Sequence, residues 1–400
     1  MKILQICHKA PYPPKEGGPL AVNVLTEVLQ ADGHIVHIIC ISTPKYYVDK
    51  SLIPKDYKDR TKFDSVFIDT NVKIIPAFLN LFSSKSYNIE RFYSIEFDTA
   101  LKTKLIKNKY DIVQLESLFV TPYLNTIRNN SKAKIILRSH NIEYLIWERL
   151  AEETKNPLKK YYLNLLATKL KKYELALLNQ YDAILTISDK DLQYYKNHNC
   201  TLPILNLPFG VNIENYNKPT NKSTEFPSLF FIGSMDWKPN LQGLNWFLNK
   251  IWLNIYYKFP GLTFYIAGRN IPETLTKSKY PQVVIVGEVE NAISFIHSKA
   301  IMLVPLLSGG GIRIKIIEAM AAAKTIVSTA IGAEGIDYTD RQNILIANSV
   351  NEFCSCINLC INDKKYSDEI GLNARNFIFK NHNNKTLISE LTRFYDNLLS

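Results

Sequence analysis

Short unbroken runs of β-branched and aliphatic residues alternate along this chain with longer stretches whose apolar positions return every three to four residues. Runs of the first kind predict strands covered on both faces, and stretches of the second kind predict the helices that cover them. In the first half, strands are predicted at 3–7, 35–41, 111–115, 134–138 and 183–187. A helix is predicted over 20–31, where Leu20, Val24, Val28 and Leu29 share a face and Gly33 stops it. A long helical tract over 146–180 is interrupted at Asn156-Pro157. The pattern then restarts, with strands at 229–232, 262–267, 283–286, 301–304 and 325–328 and helices at 241–257, 292–298, 312–323 and 350–361. A last helix is expected over 384–399. The break falls at Asn206-Leu207-Pro208-Phe209-Gly210, followed by a polar stretch over 215–227. The expected architecture is α/β, with Rossmann-like domains at 1–206 and 207–380 facing a cleft, and residues 381–400 packing back on the first domain.

Composition narrows the picture. A chain of 400 residues exceeds what one core usually holds, which agrees with two domains. No apolar stretch is long enough to span a bilayer, and the run 3–7 is too short for a signal-peptide core. The expected location is the cytoplasm, with the inner face of the membrane as a workplace. Cys354, Cys356 and Cys360 sit on an apolar helical pattern with no histidine pair beside them, and are expected to be buried and unliganded. The net charge of +11 asks for an acidic partner or a solubility explanation. No basic stripe interleaved with aromatics and no helix-turn-helix or zinc-finger pattern is present, so nucleic acid is not expected. Phosphorylated ligands or anionic lipid fit better.

Neither half carries GxGxxG after its first strand, which argues against a nicotinamide or flavin cofactor. The run from Ser308 to Ala321 is more informative. Gly309, Gly310 and Gly311 leave a strand, and Ile312, Arg313, Ile314 and Lys315 open a helix. Glycine lets backbone N–H groups approach an anion, the helix start adds its positive end, and Arg313 and Lys315 bring full charge. Glu318 is three residues beyond Lys315, near the same face, where a carboxylate can accept from a ribose diol. A flexible glycine loop before a solvated helix is the plainer alternative; Arg, Lys and Glu in register favour the phosphate site.

The segment GGGIRIKIIEAMAAAKTIVST over 309–329 resembles the donor-binding segment of family 4 retaining glycosyltransferases of the GT-B fold. So do Ile331 to Ile336 and the run Phe231 to Asn240, the latter in a branch that makes bacterial surface polysaccharides. The resemblance implies a nucleotide-sugar donor as substrate, no separate cofactor, retention of configuration and a saccharide or lipid-linked acceptor. No DxD pair is well placed, so no metal is expected. Two positions depart from the family pattern. A glutamate expected at residue 310 is glycine here, so the donor sugar does not carry over, and backbone amides of Gly310 and Gly311 are expected to cover part of that contact. An arginine expected after Gly233 is Ser234, which leaves Lys238 as the nearby cation.

By the same resemblance, Gly17 and Gly18 line a loop against phosphate or sugar, His140 lies at the reacting centre, and Val289 lies near the base and ribose. On the residues alone, Gly17-Gly18 is as readily a plain βα turn, and a lone histidine after a strand is more often structural. Glu143 reads either as a polar contact or as a solvated helix start. His34 and His37 read as structural. Lys155, Lys159, Lys160, Lys169, Lys171 and Lys172 interleave with Leu158, Tyr161, Tyr162, Leu165 and Leu166. That pattern suits peripheral contact with anionic lipid or an ordinary surface helix. The function expected is sugar transfer. An epimerase of the same architecture and a non-catalytic nucleotide-sugar-binding partner are the rivals.

Overall fold

The computed structural model describes residues 1–14, 16–217, 223–277 and 280–400. Lys15 of the glycine loop and residues 218–222 of the polar stretch lie outside the described residues. The chain divides into two compact units, Met1–Gly210 with Thr386–Ser400, and Val211–Lys385. The changeovers come four and five residues later than the sequence pattern suggests.

The first unit holds a seven-stranded parallel sheet made of β1 (Lys2–Cys7), β2 (Ile35–Ser42), β3 (Asp64–Phe67), β4 (Ile112–Glu116), β5 (Lys134–Ser139), β6 (Ala183–Thr186) and β7 (Ile204–Asn206). Their order is β3-β2-β1-β4-β5-β6-β7. β1 and β4 therefore pair although β2 and β3 separate them in the chain, with Ile6 opposite Leu115 and Cys7 opposite Glu116. Strand order reverses on either side of this pair, the place where doubly wound sheets bind ligands beyond the strand C-termini. From Ile3 to Cys7 every residue of β1 is buried, as a strand covered by helices on both faces requires. Gln5 is buried there, and Thr26 of the helix Gly17–Ala31 donates to its Oε1 at 2.6 Å.

The interrupted tract becomes two helices, Glu143–Glu153 and Pro157–Leu177. Asn156 caps the second by accepting from the Lys159 N–H, and Pro157 takes the first-turn position where its missing donor does no harm. The helix Asn384–Leu399 returns to this unit. There Tyr395 is fully buried and donates to Gln114 Oε1 at 2.5 Å, and Thr392 donates to Asp32 at 2.9 Å.

The second unit holds a six-stranded parallel sheet of β8 (Glu225–Ile232), β9 (Thr263–Ala267), β10 (Val283–Gly287), β11 (Lys299–Val304), β12 (Thr325–Ser328) and β13 (Leu345–Ile346), in the order β10-β9-β8-β11-β12-β13. Its reversal lies between β8 and β11. The helix predicted over 241–257 begins earlier, at Lys238, and runs as Lys238–Phe247, one wider turn over Leu248–Trp252, then Leu253–Lys258. The helix Lys364–Asn381, which the apolar pattern did not announce, packs Gly371 against the Ala323 carbonyl, where a Cβ would sit 2.3 Å from that oxygen. Cys356 and Cys360 are buried in the core and Cys354 is half-buried. No helix among the described residues is long and apolar enough to cross a membrane.

Candidate active site

Each unit gathers its chemistry where its strand order reverses. In the second unit, the loops after β8 and β11 meet. Trp237 comes from the first and Arg313 from the second, with the guanidinium carbon 4.4 Å from the indole centroid. Ser308 donates through Oγ to Gln242 Oε1 at 3.0 Å, in the helix that follows the first of these loops. Gly309 has φ +112°, and a Cβ there would lie 2.7 Å from the Trp237 ring and 3.0 Å from Arg313 Nη2, so glycine is required by both backbone and space. Beyond the neighbouring strand, Gly268 at φ +148° approaches Gly233 so closely that a Cβ would fall 1.7 Å from its carbonyl oxygen.

The helix after the glycine loop runs Ile314–Ala321, two residues shorter at each end than predicted. Arg313 is its N-cap and offers no side-chain acceptor to the free N–H groups of the first turn. Arg313 instead folds back, Nη1 donating to the carbonyls of Gly310 and Gly311, each at 2.5 Å. Its Nε and Nη2 are buried with no hydrogen-bond partner among the described residues. Burial pulls this guanidinium down to about 10, with Glu334 opposing the shift, so it remains a cation near neutrality. Two desolvated, unsatisfied donors on a cation are costly unless an anion meets them. Lys315 Nζ lies 2.6 Å from Glu318 Oε2, which puts both on one helix face, with the lysine more exposed than the carboxylate.

Other residues singled out in this unit are spread around the same strand ends. Ser234 Oγ is 3.5 Å from Asp236 Oδ2, which also accepts from Asn270 at 2.5 Å. Asn240 donates to the Ser234 carbonyl at 2.8 Å and so shapes that turn. Lys238 is the first residue of its helix, and Val289 follows β10 by two residues. Among the described residues, no hydrogen bond or ion pair joins Lys238 or Val289 to Arg313 or Lys315. Ile312 packs near Gly335, where a Cβ would stand 2.8 Å from its Cγ1.

In the first unit the reversal is built around a carboxylate that sequence reading passed over. Glu116, the last residue of β4, is 1% exposed. Its Oε2 accepts from His140 Nε2 at 2.8 Å and meets Arg138 Nη1 at 3.4 Å, while Gln114 donates to its Oε1. Burial, the largest influence, raises this carboxyl's pKa, yet Arg138, His140 and Gln114 together leave it below the ordinary value. The bond to Glu116 commits the Nε2–H of His140 and leaves Nδ1 as the nitrogen available to another group. Gln114 is also held by Tyr395, so a buried polar chain runs from the terminal helix to His140.

His140 directly follows β5. Ser139 fixes its turn through bonds to the Asn141 carbonyl at 2.9 Å and the Tyr195 hydroxyl at 2.8 Å. His8, after β1, bonds through Nδ1 to the Glu116 carbonyl at 3.0 Å. Burial, then Lys9, brings His8 down to about 3, so it is neutral and donates that proton. A Glu at the end of an apolar run, with His8 and His140 just after the flanking strands and Arg138 near the end of one, was the available signal. Only the β1–β4–β5 order joins them.

Gly17 and Gly18 begin the helix Gly17–Ala31, and beside Gly18 a Cβ would meet nothing within 4 Å. Glu143 is not a solvated helix start, because it is buried. Burial raises it to about 7, against Asn141 and Lys9. His34 and His37 are structural. His34 bonds the N-terminus at 3.2 Å and Thr392 at 3.0 Å, and His37 bonds the Tyr110 hydroxyl at 2.9 Å.

Residues 226–363 match the family described as Glycosyl transferases group 1. Over 98% of both chains, the sequence is 28% identical to an uncharacterized 44.6 kDa protein in the cps region of Klebsiella pneumoniae. Sucrose-phosphate synthase from Thermosynechococcus elongatus superposes with a TM-score of 0.70 at 15% identity, covering 99% of this chain and 98% of that one. HepE from Anabaena, solved with UDP-glucose, gives 0.64 at 13%, covering 99% and 100%. TarM gives 0.70 at 13%, covering 98% of each. The chain has the GT-B fold, and its second unit carries the stretch that matches group 1 glycosyltransferases. Glycosyl transfer is the chemistry these findings support, in keeping with the resemblance read from 309–329.

Proposed function

We propose that the protein transfers a sugar, with retention, from a nucleoside-diphosphate sugar to a hydroxyl of a saccharide or lipid-linked saccharide. The observation that carries the reading is Arg313, a half-buried cation with two buried, unsatisfied donors beside a glycine loop and an uncapped helix start. In this proposal the donor diphosphate accepts from Arg313 Nε and Nη2 and from the helix-start amides. Lys315 turns from Glu318 to the departing diphosphate, and Glu318 then accepts from the ribose. Positive charge fixed in advance offsets the charge that builds as the glycosidic bond breaks. No step is assigned to a metal. Lys238 and Ser234 remain candidate donor contacts, as do Gly17 and Gly18. His140, oriented by Glu116, accepts a hydroxyl proton or hydrogen bond at Nδ1.

The relative from the cps region of Klebsiella pneumoniae supports a role in surface polysaccharide synthesis. HepE solved with UDP-glucose, and a TarM variant solved with UDP and alpha-GlcNAc-glycerol, put UDP-sugars first among donors to try. The reading has the chain working in the cytoplasm at the inner face of the membrane. Labelled UDP-, GDP- and ADP-sugars incubated with the protein and saccharide or lipid-linked acceptors test it. Label transferred to acceptor is expected. Epimerised donor, or tight donor binding with neither transfer nor hydrolysis, would reject it in favour of the two rivals.

A further inference from the structure

The first unit carries an apolar surface that its own fold leaves uncovered. The helix Ile74–Asn80 has Ile74 86%, Phe78 59% and Leu79 62% exposed, and Phe82 just beyond it is 81% exposed. A globular unit normally turns at least one face of such a helix inward. Here the helix is pinned through its C-terminal end. Lys169 of the helix Pro157–Leu177 reaches in to the Asn80 carbonyl, and to Asn80 Oδ1 at 3.4 Å and the Leu81 carbonyl at 3.3 Å. Lys169 is therefore buried, unlike the other lysines of its helix, and the basic cluster of the sequence is not a uniform solvated face.

Two to three turns before Lys169, about 12–17 Å along the axis, the same helix exposes Leu158 (82%) and Tyr161 (73%). Within the two segments that carry these apolar residues the charge has one sign. Residues 72–85 and 154–172 contain eight lysines and no aspartate or glutamate. Lys155, Lys159 and Lys160 are exposed beside Leu158 and Tyr161. Lys73 and Lys85 flank the short helix and meet Asp69 and Glu90 at 3.4 and 3.3 Å.

We infer that this surface docks on an anionic lipid bilayer, with Ile74, Ile75, Phe78, Leu79 and Phe82 entering the headgroup–acyl boundary and the lysines meeting lipid phosphates. The inference deepens, and rests on, the proposal that the chain works at a membrane face. Exposed apolar side chains, with Lys155, Lys159 and Lys160 exposed near Leu158 and Tyr161, match an interface that is apolar inside and negative outside. A second copy of the chain fits worse. An isologous contact lays the same patch on itself and brings lysine against lysine.

The test is co-sedimentation of the full chain with phosphatidylcholine vesicles and with vesicles that also contain phosphatidylglycerol. Binding is expected to favour the anionic vesicles and to weaken with salt. Ile75→Ser with Phe78→Ser is expected to lower partitioning about tenfold or more. Lys159→Glu with Lys160→Glu is expected to remove the preference for phosphatidylglycerol, again about tenfold. All four side chains are exposed, so thermal unfolding should match wild type. Transfer to a soluble saccharide in the absence of lipid should also persist, which keeps this test separate from that of the reaction. Absence of binding to anionic vesicles, or equal binding by the variants, overturns the inference. So does a lipid-free dimer that the serine variant dissociates.

Discussion

Replacing Arg313 with alanine removes the cation on which the diphosphate proposal turns. In the unliganded protein its effect on stability should be small. The variant loses two bonds to the Gly310 and Gly311 carbonyls and the stacking on Trp237, but it also removes two buried donors that no acceptor satisfies. These contributions are of similar size and opposite sign. Binding should respond differently. If Nε and Nη2 each donate to phosphate, two charge-assisted bonds of about 1.5–3 kcal/mol apiece are lost. The lower end, about 3 kcal/mol, weakens Kd roughly 100-fold. In thermal unfolding with ligand at about 100 times the wild-type Kd, wild type gains about 2.7 kcal/mol and the variant only about 0.4 kcal/mol. Arg313→Lys keeps the charge without the planar fork and should fall between them, about tenfold weaker. The assay is calorimetric titration with whichever of UDP, GDP and ADP wild type binds, beside unfolding scans with and without it. A Kd for Arg313→Ala within about twofold of wild type refutes the reasoning.

Glu116→Ala leaves the Arg138 guanidinium buried without its partner and should cost about 3–5 kcal/mol in urea unfolding; an unchanged midpoint would show that the pair contributes nothing. Because the Glu116 carboxyl is held below its ordinary value of 4.5, the stability it brings is present above that pH and is lost as pH falls through the folded-state pKa. Glu116→Gln should accordingly flatten the acid limb of the stability profile. Glu174 behaves with the opposite sign. Burial, then Glu143, raises it to about 8, so the stability it brings is full below 4.5 and is lost as pH rises through about 8. Glu174→Gln should be more stable than wild type on the alkaline side, and parallel profiles would dismiss the idea. His140→Ala should lower kcat about a hundredfold while the Kd for nucleoside diphosphate stays put; full turnover in the variant removes His140 from the reaction.

The central strands were readable because a parallel strand covered on both faces is an uninterrupted apolar run, as in β1, β4, β8, β11 and β12. The unread strands lack that pressure. β3 has no fully buried residue and β7 is partly exposed throughout, and β13 is two residues long. The helix Lys364–Asn381 hides because lysines, asparagines and aspartate interleave its buried positions Ile370, Ala374 and Ile378. In the second unit the glycine loop and the charged helix start proposed to hold phosphate were legible, since Gly309 to Glu318 is contiguous. Glu116 was not, because its partners Arg138 and His140 reach it only through strands adjacent in space and distant in sequence. Nor does an apolar run such as 74–79 reveal from periodicity whether a core covers it.

A crystal structure of the chain with a bound nucleoside diphosphate tests the account most directly. Phosphate oxygens should lie within hydrogen-bonding distance of Arg313 Nε and Nη2 and of the amides that open the helix Ile314–Ala321, with Lys315 swung from Glu318 toward them. Phosphates bound away from the loop 309–313, with Arg313 still folded on its own carbonyls, would contradict it.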